Sequence, residues 1–132
     1  GDEVNFVNKV VALAFFVFFM YIESNSIAEI MHYAAVNKGW KSVREYPAPT
    51  SGRKGRIDLL LSDGKETVAI EVDAKVVKTK SVKKLSSLHE VFRMCIISDG
   101  SIQKTAQELG VEMVVSIKDR TVSSVRNFYR MD

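Results

Sequence analysis

The stretch Gly55-Arg-Ile-Asp-Leu-Leu-Leu61, followed by Thr67-Val-Ala-Ile-Glu-Val-Asp-Ala-Lys75, decides how this chain folds. Each run is short, rich in Leu, Ile and Val, and bounded by turn residues, which predicts two β-strands. The Asp63-Gly64 pair between them is a strong hairpin signal, so we expect the two strands to be antiparallel neighbours. Strands this apolar normally lie inside a sheet that is covered on both faces.

Ionisable side chains interrupt these two apolar strands. The first strand carries Asp58, and the second carries Glu71, Asp73 and Lys75. Because side chains alternate along a strand, we expect the last three to share one face. Unpaired charge in a buried strand is costly, so these groups need partners. Pairing among the charges is one explanation, and a metal site is the other.

The rest of the sequence predicts an α/β protein with a central mixed β-sheet flanked by helices. Ser26 is a predicted N-cap with Glu29 in the capping-box position, and Gly39 ends the helix. Antiparallel pairing comes first in the chain and alternation of helix and strand follows, as in mixed sheets. Further strands are predicted over 41–46, 92–97 and 111–117, and helices over 26–38, 81–91, 101–109 and 121–129.

An apolar segment precedes this pattern. Residues 10–22 are thirteen apolar residues in a row, too long for an ordinary strand, and they predict an extra apolar N-terminal helix. The run is shorter than the roughly 18–20 residues that span a bilayer. Acidic Asp2 and Glu3 ahead of it argue against a secretory signal. A helix apolar on all sides must be buried, and burial in the core or in a homodimer interface is favoured over membrane contact.

Composition describes an ordinary globular chain. With 132 residues, 46% apolar and 27% charged, we expect a single domain over 1–132, comprising an N-terminal helix (1–23), a core (24–117) and a helical tail (118–132). The lone Cys95 excludes an intrachain disulfide and fits a reducing, cytoplasmic compartment. With no cysteine cluster and only two histidines, a structural zinc site is not expected.

The element order, with Asp58 on the second predicted strand and Asp73-Ala-Lys75 on the third, resembles the PD-(D/E)XK nuclease superfamily. The shared core of that superfamily is the restriction-endonuclease-like αβββαβ fold, and the resemblance covers residues 24–117. Ile57 stands where the family usually has Pro. Small archaeal Holliday-junction resolvases are similar in size and in having a basic loop before the second strand. The segment Ile96 to Val115 resembles the strand, helix and strand that close many restriction and repair members.

The resemblance implies a metal-dependent DNA endonuclease. It implies that Asp58, Asp73 and Lys75 act in catalysis, with Glu71 as an extra acid that is either a metal ligand or a partner of Lys75. Metal ligands would be Asp58, Asp73, Glu71 and, as in many members, Glu29 on the first helix. Mg²⁺ or Mn²⁺ is the expected cofactor, because hard divalent cations prefer oxygen ligands. No small-molecule cofactor is expected, and which of Glu71 and Asp73 is the principal metal ligand stays open.

Basic residues cluster around the two strands, although the net charge of the chain is only +3. Such clusters are either solvated surface or a site for nucleic-acid phosphates. Under the second interpretation the partner is DNA, gripped by Arg53, Lys54, Arg56, Lys78, Lys80, Lys83 and Lys84.

Other functional classes compete with the nuclease hypothesis. One is a nucleic-acid-binding module of the same fold without catalysis. The other is a membrane-docking or partner-docking domain that uses the apolar segment over 10–22. The small size and the surplus apolar helix favour a homodimer, in which two active sites make paired cuts in a duplex or a junction.

Overall fold

One mixed β-sheet with helices on its faces forms the centre of the fold. The computed structural model describes residues 2–20, 26–49 and 55–126. This arrangement confirms the predicted α/β class, with its central mixed sheet, flanking helices and apolar N-terminal helix. The helices are α1 (Asp2–Met20), α2 (Ile27–Asn37), α3 (Thr79–Ser86) and α4 (Ala106–Leu109), and the strands are β1 (Lys41–Pro47), β2 (Arg56–Ser62), β3 (Thr67–Asp73), β4 (Phe92–Ile97), β5 (Met113–Ser116) and β6 (Thr121–Ser124).

The strands lie in the sheet in chain order, from β1 to β6. β1, β2 and β3 form an antiparallel meander. β4 runs parallel to β3 and β5 parallel to β4, with α3 in the first of these two connections and α4 in the second. β6 returns antiparallel to β5. The elements from α2 to β4 therefore follow the predicted αβββαβ order.

The predicted hairpin joins β2 to β3. The Oδ1 atom of Asp63 accepts hydrogen bonds from the backbone N–H groups of Lys65 (2.9 Å) and Glu66 (2.8 Å). Gly64 has a φ of 97°, a conformation that glycine adopts without the steric cost of a Cβ atom. These turn contacts hold β2 and β3 as antiparallel neighbours, which confirms the prediction from Asp63-Gly64.

The sheet is covered on both faces, as the apolar strands predict. On one face α1 and α2 pack against it, burying Phe6 and Met31 with Leu59 and Ile70 in one core cluster. On the other face Leu85 of α3 packs in a second cluster. That cluster also contains Ala69 and Cys95, which lie on the same face of the sheet as Glu71.

Helix α1 shows why thirteen apolar residues precede the core. Phe6, Val10 and Ala14 are buried, and the ring of Phe6 meets the ring of Trp40 edge-on with 5.0 Å between centroids. Phe16 and Phe19 on the outer side remain 57% and 72% exposed. Among the described helices, α1 alone is long and apolar enough to cross a membrane, a test that core helices of soluble proteins also pass.

The predicted helix over 121–129 is wrong within the described residues. Residues 121–124 form β6, which pairs with β5 through contacts such as Val115 opposite Val122. The β-branched Thr121 and Val122 favour a strand, and β5 offers an open edge for pairing. The part of that prediction beyond residue 126 lies outside the described residues.

Two helix boundaries also differ from the prediction. α3 begins at Thr79 and ends at Ser86 rather than covering 81–91, so His89 lies beyond it and is exposed. The helix predicted from Ser101 begins only at Ala106, because Thr105 and Glu108 form a reciprocal capping box there. Its end at Gly110, in a left-handed conformation, agrees with the prediction.

The loop after β3 passes very close to the loop after β4. A Cβ atom on Gly100 would lie 2.0 Å from the carbonyl oxygen of Lys75. We therefore expect Gly100→Ala to lower the free energy of unfolding by about 1–3 kcal/mol, the usual cost of overpacking. Urea denaturation measures the loss, with Ser101→Ala as the control at the next, exposed position. Equal stabilities of the two variants would contradict the close approach.

Candidate active site

Two acids face each other where β2 and β3 stop pairing. The last pair at this end of the hairpin is Leu59 opposite Ile70. Continuing the antiparallel register by one residue places Asp58 opposite Glu71. Glu71 lies on the sheet face that α3 covers, because it alternates with Ile70 and contacts Lys84 of α3.

The carboxylates of these acids replace the backbone hydrogen bonds of the hairpin at this point. The backbone N–H of Asp58 donates to Oε2 of Glu71 (2.7 Å). In return, the backbone N–H of Val72 donates to Oδ2 of Asp58 (2.8 Å). Each side chain therefore inserts between the strands and bonds to the opposite one. One oxygen of each carboxylate is fixed by backbone, which leaves Oδ1 of Asp58 and Oε1 of Glu71 for other partners.

Lys84 of α3 supplies the partner of Glu71. Its Nζ atom lies 2.6 Å from Oε1 of Glu71 and donates to the backbone carbonyl of Arg56 at 3.0 Å. The side chains of Lys84 and Glu71 are only 14% and 2% exposed, so this ion pair is shielded from solvent. The sequence predicts Lys84 as a phosphate-binding residue and does not reveal this contact. The available signal was helical spacing, since Lys84 follows buried Ser81 by three residues and directly precedes buried Leu85.

Burial controls the protonation of Glu71. Desolvation raises the pKa of Glu71 from 4.5 to about 7, and the nearby charge of Asp58 acts in the same direction. The hydrogen bonds from Lys84 and from the Asp58 backbone lower the pKa but do not outweigh burial. Glu71 therefore changes charge near neutral pH.

This raised pKa gives Glu71 a measurable effect on stability. Between about pH 4.5 and pH 7 the folded chain binds more protons at Glu71 than the unfolded chain, so stability falls as pH rises through that interval. Glu71→Gln removes this dependence of the free energy of unfolding on pH. For one proton its slope is at most about 1.4 kcal/mol per pH unit. Denaturant unfolding from pH 5 to pH 8 should give a flatter profile for Glu71→Gln than for the parent. Glu66→Gln, on the same hairpin, is the control, and parallel profiles for Glu71→Gln and the parent would contradict the shift.

Asp73 has a different role in the structure from the opposed pair. It is buried at the end of β3, and its Oδ2 accepts a hydrogen bond from the backbone N–H of Lys78, the N-cap of α3 (3.0 Å). Its carbonyl accepts from the backbone N–H of Ser98 (2.9 Å). Asp73 thus fixes the start of α3 and joins β3 to the loop after β4.

Lys75 does not share the strand face with Glu71 and Asp73, which corrects our expectation. β3 ends at Asp73, and the chain bends over residues 74–76. The Lys75 side chain is 69% exposed and forms an ion pair with Asp99, away from the opposed acids. The bend follows from the hydrogen bond between the Asp99 N–H and the Ala74 carbonyl, which directs this segment over the end of β4.

The remaining predicted site residues are dispersed. Glu29 is exposed on the first turn of α2, where its backbone N–H donates to Oγ of Ser26 (3.1 Å), as the predicted N-cap requires. α2 packs on the other sheet face, so the structure does not bring Glu29 to the acids. Arg53 and Lys54 lie outside the described residues. Arg56, Lys78, Lys80 and Lys83 are exposed around the opposed pair and along α3.

Comparison of this chain with models of protein families, with curated proteins and with solved structures gives no match. In the described ranges, no group of three or more His, Cys, Asp or Glu side chains is arranged to hold a metal ion. The opposed pair of Asp58 and Glu71, with Lys84 beside it, is the arrangement on which a functional proposal can rest.

Proposed function

We propose that this protein is a metal-dependent endodeoxyribonuclease of the PD-(D/E)XK type, cytoplasmic and selective for DNA structure, such as a junction or repair intermediate. The observation that carries the proposal is the opposed pair of Asp58 and Glu71 at the separating ends of β2 and β3, with the Lys84 ammonium 2.6 Å from Glu71. Glu71 is buried and its pKa is raised, and ionisable groups with perturbed pKa values are typical of functional sites.

The geometry favours Glu71 over Asp73 as the acid of the third strand. Glu71 lies opposite Asp58 and has one carboxylate oxygen that no backbone group holds, whereas Asp73 holds the N-cap of α3. Reading the acid-x-Lys pattern from Glu71 puts Asp73 where the family has its lysine. Lys84, reaching in from α3, supplies an ammonium at Glu71 instead.

The donor set of this pair suits Mg²⁺. In proteins Mg²⁺ is usually held by one or two carboxylates, with water and substrate phosphate completing its shell. Asp58 and Glu71 provide that number, which is compatible with the lack of a larger acidic cluster in the described part of the chain. A bound divalent cation lowers the pKa of water and neutralises charge on the phosphate.

The chain's own groups have definite tasks in this proposal. Backbone N–H groups of Asp58 and Val72 hold the two carboxylates in fixed orientations. The Lys84 ammonium is placed to stabilise negative charge that develops on a phosphate oxygen near Glu71. Exposed Lys80 and Lys83 on α3 contact the DNA backbone, a grip that carries no sequence information and weakens with salt.

We also propose that the protein works as a homodimer through α1. Phe16, Phe19 and Met20 lie three and four residues apart, so they form one exposed apolar stripe on the helix. Phe19→Glu should convert the dimer to a monomer in light scattering at matched concentration. Asn5→Glu, on the exposed polar end of the same helix, is the control. A parent protein that is monomeric, or that needs detergent to stay in solution, would favour the docking-domain alternative.

Cleavage assays test the proposed activity. The protein is incubated with supercoiled plasmid and with a panel of nicked, flapped, junction and plain duplex DNAs in Mg²⁺ or Mn²⁺. We expect nicking that requires the metal and prefers one branched structure. The rival is a DNA-binding module without catalysis, favoured by the fact that backbone groups and Lys84 already satisfy three of the four carboxylate oxygens. Binding without nicking in either metal would support that rival.

A further inference from the structure

The Lys84 ammonium contacts two oxygen atoms of the protein. Its two partners are a carboxylate oxygen, Oε1 of Glu71, and a backbone oxygen, the carbonyl of Arg56. Carboxylate and carbonyl oxygens are the ligands that hard divalent cations take in proteins. Arg56 lies two residues before Asp58 on β2, so its carbonyl belongs to the same end of the hairpin as the opposed acids.

Oε1 is the oxygen of Glu71 that no backbone group in the described residues holds, and Lys84 contacts it. Oε2 of Glu71 is held by the backbone N–H of Asp58, and Oδ2 of Asp58 by that of Val72. A divalent cation that binds Oε1 of Glu71 would meet the Lys84 ammonium there, and two positive charges cannot lie together at low cost. The geometry thus sets the ammonium and the cation in competition for one atom.

We infer that Lys84 is a resident counter-ion of the site, which the divalent cation displaces from Oε1 of Glu71 when it binds. This inference rests on the proposed function and adds a regulation of the same site. Without DNA the Lys84 ammonium compensates the charge of Glu71, and the affinity of the site for a divalent cation is low. A phosphate held near Lys80 and Lys83 offers the released ammonium a new partner, so DNA and the cation bind cooperatively.

Manganese binding without DNA tests the competition, because it is measured apart from cleavage. Electron paramagnetic resonance of unbound Mn²⁺ gives the Kd for the full chain and for three variants. Lys84→Met removes the competing ammonium, and Glu71→Gln removes the shared oxygen anion. Lys118→Met removes the same charge as Lys84→Met from an exposed position in the turn between β5 and β6. We expect Lys84→Met to bind Mn²⁺ about tenfold more tightly than the parent, within the usual range of coupling between sites. We expect Lys118→Met to bind Mn²⁺ with the Kd of the parent.

The outcomes separate this inference from the proposed function. Equal affinities of the parent and Lys84→Met, both weakened by Glu71→Gln, would overturn the competition and leave the metal site standing. Absence of Glu71-dependent binding in both proteins would overturn the metal site and the inference with it.

A second measurement uses the parent protein, so it does not depend on the folding of a Lys84 variant. Carbon-13 NMR follows the side-chain Cε signals of Lys84 and Lys83 in the parent protein as Mg²⁺ is added. Release from Glu71 predicts a shift of the Lys84 signal with little change at Lys83. A Lys84 signal that stays constant at saturating Mg²⁺ would overturn the displacement.

Discussion

Asp58→Asn is expected to lower the rate of DNA nicking by about 10²- to 10³-fold, the usual cost of losing one preorganised electrostatic group. The amide can still accept the hydrogen bond from the Val72 N–H, so the hairpin end should keep its shape. What disappears is the negative charge at Oδ1, the oxygen that no group in the described part of the chain holds. Loss of rate with folding retained would therefore report on chemistry rather than on structure.

Plasmid nicking under single-turnover conditions measures this effect, and filter binding in Ca²⁺ checks that DNA affinity survives. Asp119→Asn is the matched control, because this exposed acid lies in the turn between β5 and β6, remote in sequence from the opposed acids. We expect it to cleave like the parent. An Asp58→Asn protein that nicks at the parental rate would show that Asp58 is not part of the catalytic site.

Lys84→Ala is expected to destabilise the fold strongly at high pH. Removing one partner of a buried ion pair leaves the other charge unpaired, at a typical cost of about 3–5 kcal/mol. Because burial raises the pKa of Glu71 to about 7, this acid is ionised at pH 8 and mostly neutral at pH 5. The loss of stability should therefore be larger at pH 8 than at pH 5.

Urea denaturation at both pH values measures the difference. Lys83→Ala loses the same charge at an exposed position of α3 and should change stability little at either pH. Equal losses for Lys84→Ala at pH 5 and pH 8 would mean that the lysine acts through packing of its aliphatic chain instead of its charge. That result would also weaken the counter-ion inference.

The central strands could be predicted because local and tertiary preferences agree there. The alternation of apolar residues in β2 and β3, together with the turn chemistry of Asp63 and Gly64, specifies a hairpin without help from distant contacts. The end of the chain lacks that agreement. Val122 belongs to a strand because β5 presents an open edge, and such an edge is a property of the assembled sheet.

In the candidate site, too, the features set by local sequence could be predicted and those set by tertiary contacts could not. Period two correctly placed Glu71 and Asp73 on one face, since both lie inside β3. The prediction failed for Lys75 because β3 ends two residues earlier. There the backbone of Asp73 and Ala74 is hydrogen-bonded to Ser98 and Asp99, which lie 25 residues further along the chain. Helical spacing places Lys84 next to the buried positions of α3. Its pairing with Glu71 depends on how α3 packs across β2 and β3, which the spacing within α3 does not specify.

The only cysteine of the chain lies directly beside this site in the sheet. In the parallel register of β3 and β4, Cys95 is the partner of Glu71. It is fully buried, and burial raises the pKa of its thiol to about 12, so it remains unreactive while the sheet is closed. The native chain therefore contains its own chemical reporter: the rate at which a thiol reagent modifies Cys95 measures how often the strands beneath the opposed acids open.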